Sequence, residues 1–327
     1  MTGAAGGQTL GDLGEFALID VITARAPGAP EVLIGPGDDG AVLDLVGPVV
    51  SSLDVLVEGV HFRRDWSSGQ DVGRKAVAVN VADIEAMGAR ALGVLLGFSA
   101  PAELPVAWVQ DFASGMQSEC AAAGVALIGG DITRARDVTV SVTVLGTLDG
   151  RQPVRRSGAR AGDLVAVTGR TGWAAAGMVV LGRGFRSPRA VVEAQRVPQV
   201  PYGAGVVANA AGATAMIDVS DGLLADLGHV AVASGVVVEL VSDAFEIPEP
   251  LQTVSAATGT DALNLVLTGA EDHALAATFA AGADLPEGWR QVGVVREAGD
   301  GEPAGVLVDG ATWAGSPGFD HFRTAKR

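Results

Sequence analysis

Apolar positions along the chain alternate between short runs bounded by glycine-rich turns and longer stretches with helical spacing. The spacing over 12–25 predicts an amphipathic helix, ended by Pro27 and Gly28. EVLI (31–34), AVLDLV (41–46) and VVSSLDVLV (49–57) read as strands, separated by the turn-rich GPGDDG and VGP. Residues 71–88 predict a helix rich in Ala and Val, closed by Gly88. ALGVLLGFS (91–99) reads as a buried strand, and 105–123 as a second helix stopped by Gly124. VALIGG (125–130) and VTVSVTVLGTL (138–148) are further strands.

The polar, arginine-rich stretch 149–163 is the candidate domain boundary. It separates a domain over 9–150 from one over 151–327, behind a small, polar and disordered tail at 1–8. The second half opens with the strand LVAVTG and a helix from Trp173 to Leu181. A segment punctuated by Pro188, Pro198 and Pro201 follows. Then come the strand AMID, a helix over 221–234, the strand VVVEL, and strands near 274–279, 291–295 and 305–308. Both halves mix strands and helices, as α/β or α+β domains do.

Composition narrows the function. Apolar residues make up 48% and charged residues 18%, enough to bury a real core. The net charge of −16 disfavours a broad basic surface for nucleic acid and a basic patch for an anionic membrane. No apolar run reaches the ~18 to 20 residues that span a bilayer. The N-terminal stretch lacks the charged-then-apolar order of a secretory signal. The single Cys120 cannot form an internal disulfide and reads as a small buried hydrophobe. These features predict a soluble cytoplasmic protein.

The aspartates carry the chemistry. Asp38 and Asp39 fall in IGPGDDG, Asp131 in LIGGD, and Asp218 and Asp221 in MIDVSDG, all read as turns directly after apolar strands. Asp54 lies inside the apolar run SSLDVLV. Asp83 lies inside an apolar helix with Asn80 one turn before it. Each turn aspartate alone could be ordinary turn chemistry. Asp54 and Asp83 are not turn residues, and buried carboxylates are costly without a cation. If the set converges, two like charges ~4 Å apart repel by roughly 4 kcal/mol at an effective dielectric near 20. Oxygen donors with no clustered Cys or His point to Mg²⁺, Mn²⁺ or Ca²⁺. Gly35, Gly37 and Gly40 fit GxGxxG, but a strand pattern follows where a dinucleotide fold needs a helix, so that reading is rejected. A Walker motif is absent.

Taken in order, GEFALI, GPGDDGAVL, SSLDVLVEGVHF, KAVAVNVADIEAMGA, LIGGDITR, RRSGARAGD, IDVSDGL, TGAEDHAL and GFDHF make the sequence resemble the thiamine-monophosphate kinase family from Glu15 to Phe322. The resemblance implies a two-domain α/β (α+β) fold like that of aminoimidazole ribonucleotide synthetase. An N-terminal sheet domain would form a homodimer, with a C-terminal α/β domain beside it. It also implies ATP and thiamine monophosphate as substrates, with several Mg²⁺ ions. By motif, Asp39, Ser52, Leu53 (through its backbone), Asp54, Asp83, Asp131, Asp218 and Asp221 would bind metal. Gly130, Asp131, Arg156 and Ser220 would meet ATP, with Arg155 an equal neighbour of Arg156 on chemistry alone. His61, Glu271 and Phe319 would contact thiamine. The chain departs from the family pattern at Leu53, Ala82 and Ala270, and Phe319 stands where Tyr or Trp also occurs. Related ATP-using synthetases and a non-catalytic nucleotide-binding paralogue are the alternatives. The relatives that need a terminal cysteine are disfavoured, because Cys120 is the first and last cysteine.

Overall fold

The computed structural model describes residues 7–25, 27–37 and 39–319, the side chain of Phe16 excepted. Asp38, the first six residues of the tail and the end of the GFDHF stretch lie outside the described residues. The chain divides into two compact units, Met1–Ile84 with Arg90–Gly150, and Glu85–Ala89 with Arg151–Arg327.

The first unit opens with α1 (Leu10–Leu13) and α2 (Glu15–Thr23). The single helix expected over 12–25 is broken at Gly14, whose φ of 81° lies outside helical space. A small ribbon follows, β1 (Val32–Ile34) with β2 (Val42–Leu43), so only the start of AVLDLV is paired. Next come β3 (Val49–Val57), α3 (Gly69–Ala86), β4 (Arg90–Ala100), α4 (Val106–Ala123), β5 (Ala126–Arg134) and β6 (Thr139–Thr147). The sheet order is β3-β6-β4-β5. Only β4 and β5 run parallel, and α4 supplies the crossover that a parallel pair needs. The helices stop at Gly88 and Gly124, which take left-handed φ values of 67° and 69°. β5 runs on to Arg134, so Asp131 lies within a strand and not in the turn expected after LIGG.

Strand alternation gives this sheet two unlike faces. Val140, Val142 and Val144 of β6 and Val94, Leu96 and Phe98 of β4 share a buried face. The other carries the half-buried Ser141, Thr143 and Leu145, beside exposed Val49, Leu53 and Val55 of the edge strand β3. The helices α3 and α4 lie backbone to backbone. A Cβ on Gly69, Gly73 or Gly115 would come 2.2, 2.1 or 2.0 Å from a backbone oxygen of the facing helix, at Trp108, Phe112 and Gln70.

The second unit contains β7 (Leu164–Thr168), α5 (Trp173–Gly182), α6 (Arg189–Arg196), α7 (Ala204–Ala210), β8 (Ala215–Val219), α8 (Leu223–Ser234), β9 (Val236–Leu240), α9 (Glu249–Thr258), α10 (Ala262–Thr268), β10 (Ala274–Phe279), β11 (Arg290–Glu297) and β12 (Gly305–Val308). Its six-stranded sheet has the order β12-β9-β11-β7-β10-β8. Phe279 and Trp289 meet edge to face at 5.5 Å in a core with Ala166, Met216 and Leu275. Helices α6, α7, α9 and α10 are absent from the sequence reading. Pro188 there only punctuates a segment and Pro248 is not singled out, but each is the residue that starts a helix. The end of α3 belongs to this unit: the buried Glu85 carboxylate accepts the Gly203 and Gly205 N–H groups at 2.7 and 2.8 Å, at the start of α7. Among the described residues no helix is long and apolar enough to cross a membrane.

The close approach of α3 and α4 is testable. Gly115→Ala should destabilise the protein by about 1 to 3 kcal/mol or more, since its methyl meets backbone. Gly228→Ala, in mid-helix with nothing within 4 Å, should stabilise by up to about 1 kcal/mol. Urea unfolding of both variants checks the contrast; equal effects would sink it.

Candidate functional site

Three groups of sequence-predicted residues can be placed. The first is built on β3 and α3. Alternation along β3 puts Ser52 and Asp54 on one face and exposed Leu53 on the other. The Ser52 hydroxyl donates to Asp83 Oδ2 at 2.5 Å. One turn back on α3, the buried Asn80 accepts the Asp54 N–H at 2.8 Å and donates to the Ala76 carbonyl at 2.8 Å. A strand spacing of two and a helix spacing of three thus run side by side. At the far end of β3, His61 Nδ1 accepts the Val57 N–H at 3.0 Å, which leaves the ring proton on Nε2. The His61 carbonyl accepts from buried Lys75 Nζ at 3.1 Å.

The second group lines a cavity of about 970 Å³ in the first unit, walled by Ile19 and Asp20 of α2, Asp39, Leu95, Gly130 and Asp131. Gly130 is required by close approach: a Cβ there would sit 2.1 Å from the Leu96 carbonyl oxygen. Asp131 pairs with Gly97, Gly97 with Ser141 and Ser141 with Val55. That row belongs to the open face, whereas Ser52 and Asp54 address α3. The strand register therefore separates Asp131 from the Ser52–Asp83 group.

The third group gathers after β8 in the second unit. Asp218, the next-to-last residue of the buried strand, lies 3.2 Å from His273 Nδ1. The Asp221 and Gly222 N–H groups donate to Asp226 Oδ2 at 3.1 and 3.0 Å. Burial, then the charges of Asp218 and Asp221, push the Asp226 carboxyl up to about 7. A strap, Glu271–His273, lies against the same loop. Glu271 N–H donates to the Ser220 carbonyl at 2.7 Å and His273 N–H to that of Val219 at 2.8 Å. Glu271 and His273 have φ of 72° and 50°, a conformation costing a side-chain-bearing residue roughly 1 to 2 kcal/mol. Between them Asp272 is buried, which raises its carboxyl to about 7, and it accepts the N–H groups of Gly172 and Ala174. Phe319 is held to the same loop by its N–H, which donates to the Asp221 carbonyl at 2.9 Å. Arg155 and Arg156 are both exposed and fixed through their carbonyls, by Met216 N–H and the Ser234 hydroxyl.

The donors suit a hard divalent cation. All are carboxylate, hydroxyl or carbonyl oxygens, and the charges of Asp218 and Asp221, which add to burial in lifting Asp226, are a repulsion that a cation relieves. Among the described residues no three His, Cys, Asp or Glu side chains form a ready metal cage. Cys120 is buried, and burial pushes its thiol up to about 12, as a packing role requires.

Comparison with known proteins agrees with this layout. Residues 37–148 match the family "AIR synthase related protein, N-terminal domain" and residues 160–304 its C-terminal counterpart. The fold and its acidic loops thus define a two-domain AIR synthase-like protein. The thiamine-monophosphate kinase of Mycobacterium tuberculosis is 49% identical over 96% of this chain and 93% of its own length. That of Corynebacterium glutamicum is 40% identical over 97% and 96%. The chain belongs to the thiamine-monophosphate kinase family. The crystal structure of the Stenotrophomonas maltophilia enzyme superposes with a TM-score of 0.78 at 34% identity, over 91% of this chain and 98% of that one. A structure described as AaThiL complexed with AMPPCP and TMP superposes with the same score at 29% identity, over 95% and 98%.

Sequence reasoning passed over Asp226, Asp272 and His273. The signal was present: Asp272 and His273 stand in TGAEDHAL, the motif that supplied Glu271, and Asp226 lies three residues beyond IDVSDGL. Asn80 offers a direct test. Asn80→Ala removes the acceptor of the Asp54 N–H and should cost about 1 to 3 kcal/mol of stability. An unchanged urea midpoint would show that this contact does not hold β3 to α3.

Proposed function

We propose that this chain transfers the γ-phosphoryl group of ATP directly to thiamine monophosphate, giving thiamine diphosphate and ADP, with Mg²⁺ and in the cytoplasm. The observation that carries this reading is the make-up of the three groups: the donors they offer are the oxygens of Asp39, Ser52, Asp54, Asp83, Asp131, Asp218 and Asp221. Phosphoryl transfer to a phosphate has just that need. The acceptor's second pKa is near ~6, so at neutral pH its oxygen is already a nucleophile.

The difficulty is repulsion between a dianionic acceptor and a triphosphate. Bound at these carboxylates and the Leu53 carbonyl, Mg²⁺ would neutralise that charge and help align the two groups in line. The chain's own residues do the rest. Gly130 keeps the β5 backbone open to close approach by nucleotide, while Arg156 and Ser220 would meet its phosphates. His61, with its ring proton on Nε2, would donate to the thiamine substrate. Glu271 and Phe319 would face the cationic thiazolium, the aromatic ring adding roughly 0.5 to 2 kcal/mol of cation–π attraction. The neighbour holding AMPPCP and TMP together supports both substrates for this chain. The open face of the first unit's sheet, with Val49, Leu53 and Val55 exposed, supports a homodimer in which a second copy covers it.

Purified protein with Mg·ATP should release ADP and thiamine diphosphate in equal amounts only when thiamine monophosphate is supplied, and EDTA should abolish both. ATP turnover indifferent to thiamine monophosphate would transfer the chain to the synthetase relatives. Asp54→Asn and Asp83→Asn should lose rate chiefly through lost metal, recovering in part at high Mg²⁺; normal turnover at ordinary Mg²⁺ would refute their role. Phe319→Ala should raise the KM for thiamine monophosphate more than it lowers kcat. The opposite pattern would make Phe319 a packing residue.

A further inference from the structure

We propose that Asp272 is a positioning residue for this reaction, clamping the Glu271–His273 strap to the first turn of α5 and so setting the substrate-facing Glu271 and the His273–Asp218 pair together. The inference rests on the reading of the chain as a thiamine-monophosphate kinase.

The strap is held from two sides. Its backbone hangs on the loop after β8, through Glu271 N–H to the Ser220 carbonyl and His273 N–H to the Val219 carbonyl. Its middle side chain is gripped by a different element. Asp272 Oδ2 accepts the Gly172 N–H at 2.5 Å and Oδ1 the Ala174 N–H at 2.8 Å. These are donors that a helix start leaves without an intrahelical partner. Asp272 is only 4% exposed, so no water competes for its oxygens.

The residues on either side need that grip. Glu271 and His273 both hold positive φ, which side chains avoid unless the surroundings over-determine the backbone. Gly172, which receives one arm of the clamp, cannot be replaced freely: a Cβ there would lie 2.8 Å from the Leu265 carbonyl carbon. Gly269, two residues before Glu271, is equally confined, with a Cβ 2.3 Å from the Leu265 oxygen. The strap's entry is therefore fixed by packing and its middle by the carboxylate. Glu271 and His273 follow from where Asp272 is pinned. A cap that served α5 alone would not need its neighbours on either side to face the loop of Asp218, Ser220 and Asp221.

Asp272→Asn keeps the shape but presents an amide N–H₂ to one of the two donors. In the full-length protein it should raise the KM for thiamine monophosphate by about tenfold, as misplacement by a fraction of an ångström does. The Mg²⁺ concentration for half-maximal rate should rise by about tenfold too, as loss of a ligand-orienting partner does. The KM for ATP should move less than about twofold, since no part of the strap is assigned to ATP. Calorimetric titration with thiamine monophosphate alone should show the same weakening, independent of turnover. Ala174→Pro is the second variant. It deletes one donor at the second helical position, where Pro250 already sits in α9, and should shift the same constants in the same direction by less. A fall in kcat with every KM and the calorimetric affinity unchanged, in step with a lower Tm, would make Asp272 only a helix cap and overturn the proposal. So would wild-type constants in both variants. A wild-type protein that makes no thiamine diphosphate would instead overturn the functional reading on which the proposal stands.

Discussion

Like charge held close together in poorly solvated surroundings governs this structure. The second unit alone brings Asp218, Asp221, Asp226 and Glu271 to one loop, and the strain registers on Asp226, lifted to about 7 by burial and by its two acidic neighbours. A fold does not keep such a set for stability, because each carboxylate there would be cheaper replaced by a neutral residue. The arrangement is intelligible when a cationic species belongs to the site's working state. It also explains why backbone groups do so much of the holding. N–H groups of Asp221, Gly222, Gly172 and Ala174 can stabilise carboxylates without bringing a competing positive side chain into the ligand's place.

Close backbone approach is the second constraint, and glycine meets it in each unit. Gly69, Gly73 and Gly115 let α3 and α4 lie together. That pairing backs α3, the helix that offers Asn80 to Asp54 and Asp83 to Ser52. Gly130 lets β5 lie against β4 directly beside Asp131. These glycines hold scaffold positions from which the oxygen donors are set, and a single methyl at any of them displaces backbone.

Much of this was legible in the sequence, and the failures have physical causes. β3, β9, β10 and β12 match their expected spans because alternation or an unbroken apolar run leaves no competing period. The first helix failed at Gly14, where one positive φ outweighs a continuous apolar stripe. The helix after Pro188 was hidden because proline breaks a helix from within yet starts one from its cap. Asp131 looked like a turn residue because two glycines precede it. In the structure those glycines are strand residues admitted by the narrow gap to β4. The acidic residues themselves were found by their odd placement in apolar runs. Their division into three groups was not, because sequence order says nothing about which face of a sheet a register will choose.

Asp272 shows the limit most clearly. Beside Glu271 it reads as one more carboxylate in an acidic motif, and composition would enrol it among the ligands. Its burial and its two backbone donors remove it from that list. A carboxylate whose lone pairs are already engaged by amide N–H groups, in a place water does not reach, is a poor candidate for a cation and a good anchor for a chain. The same residue type therefore does two jobs within a few positions, and what separates them is which direction the backbone turns the side chain. At Glu271 and His273 that turn takes a conformation seldom seen outside glycine. Holding it requires a fixed point between them, and the buried carboxylate supplies one.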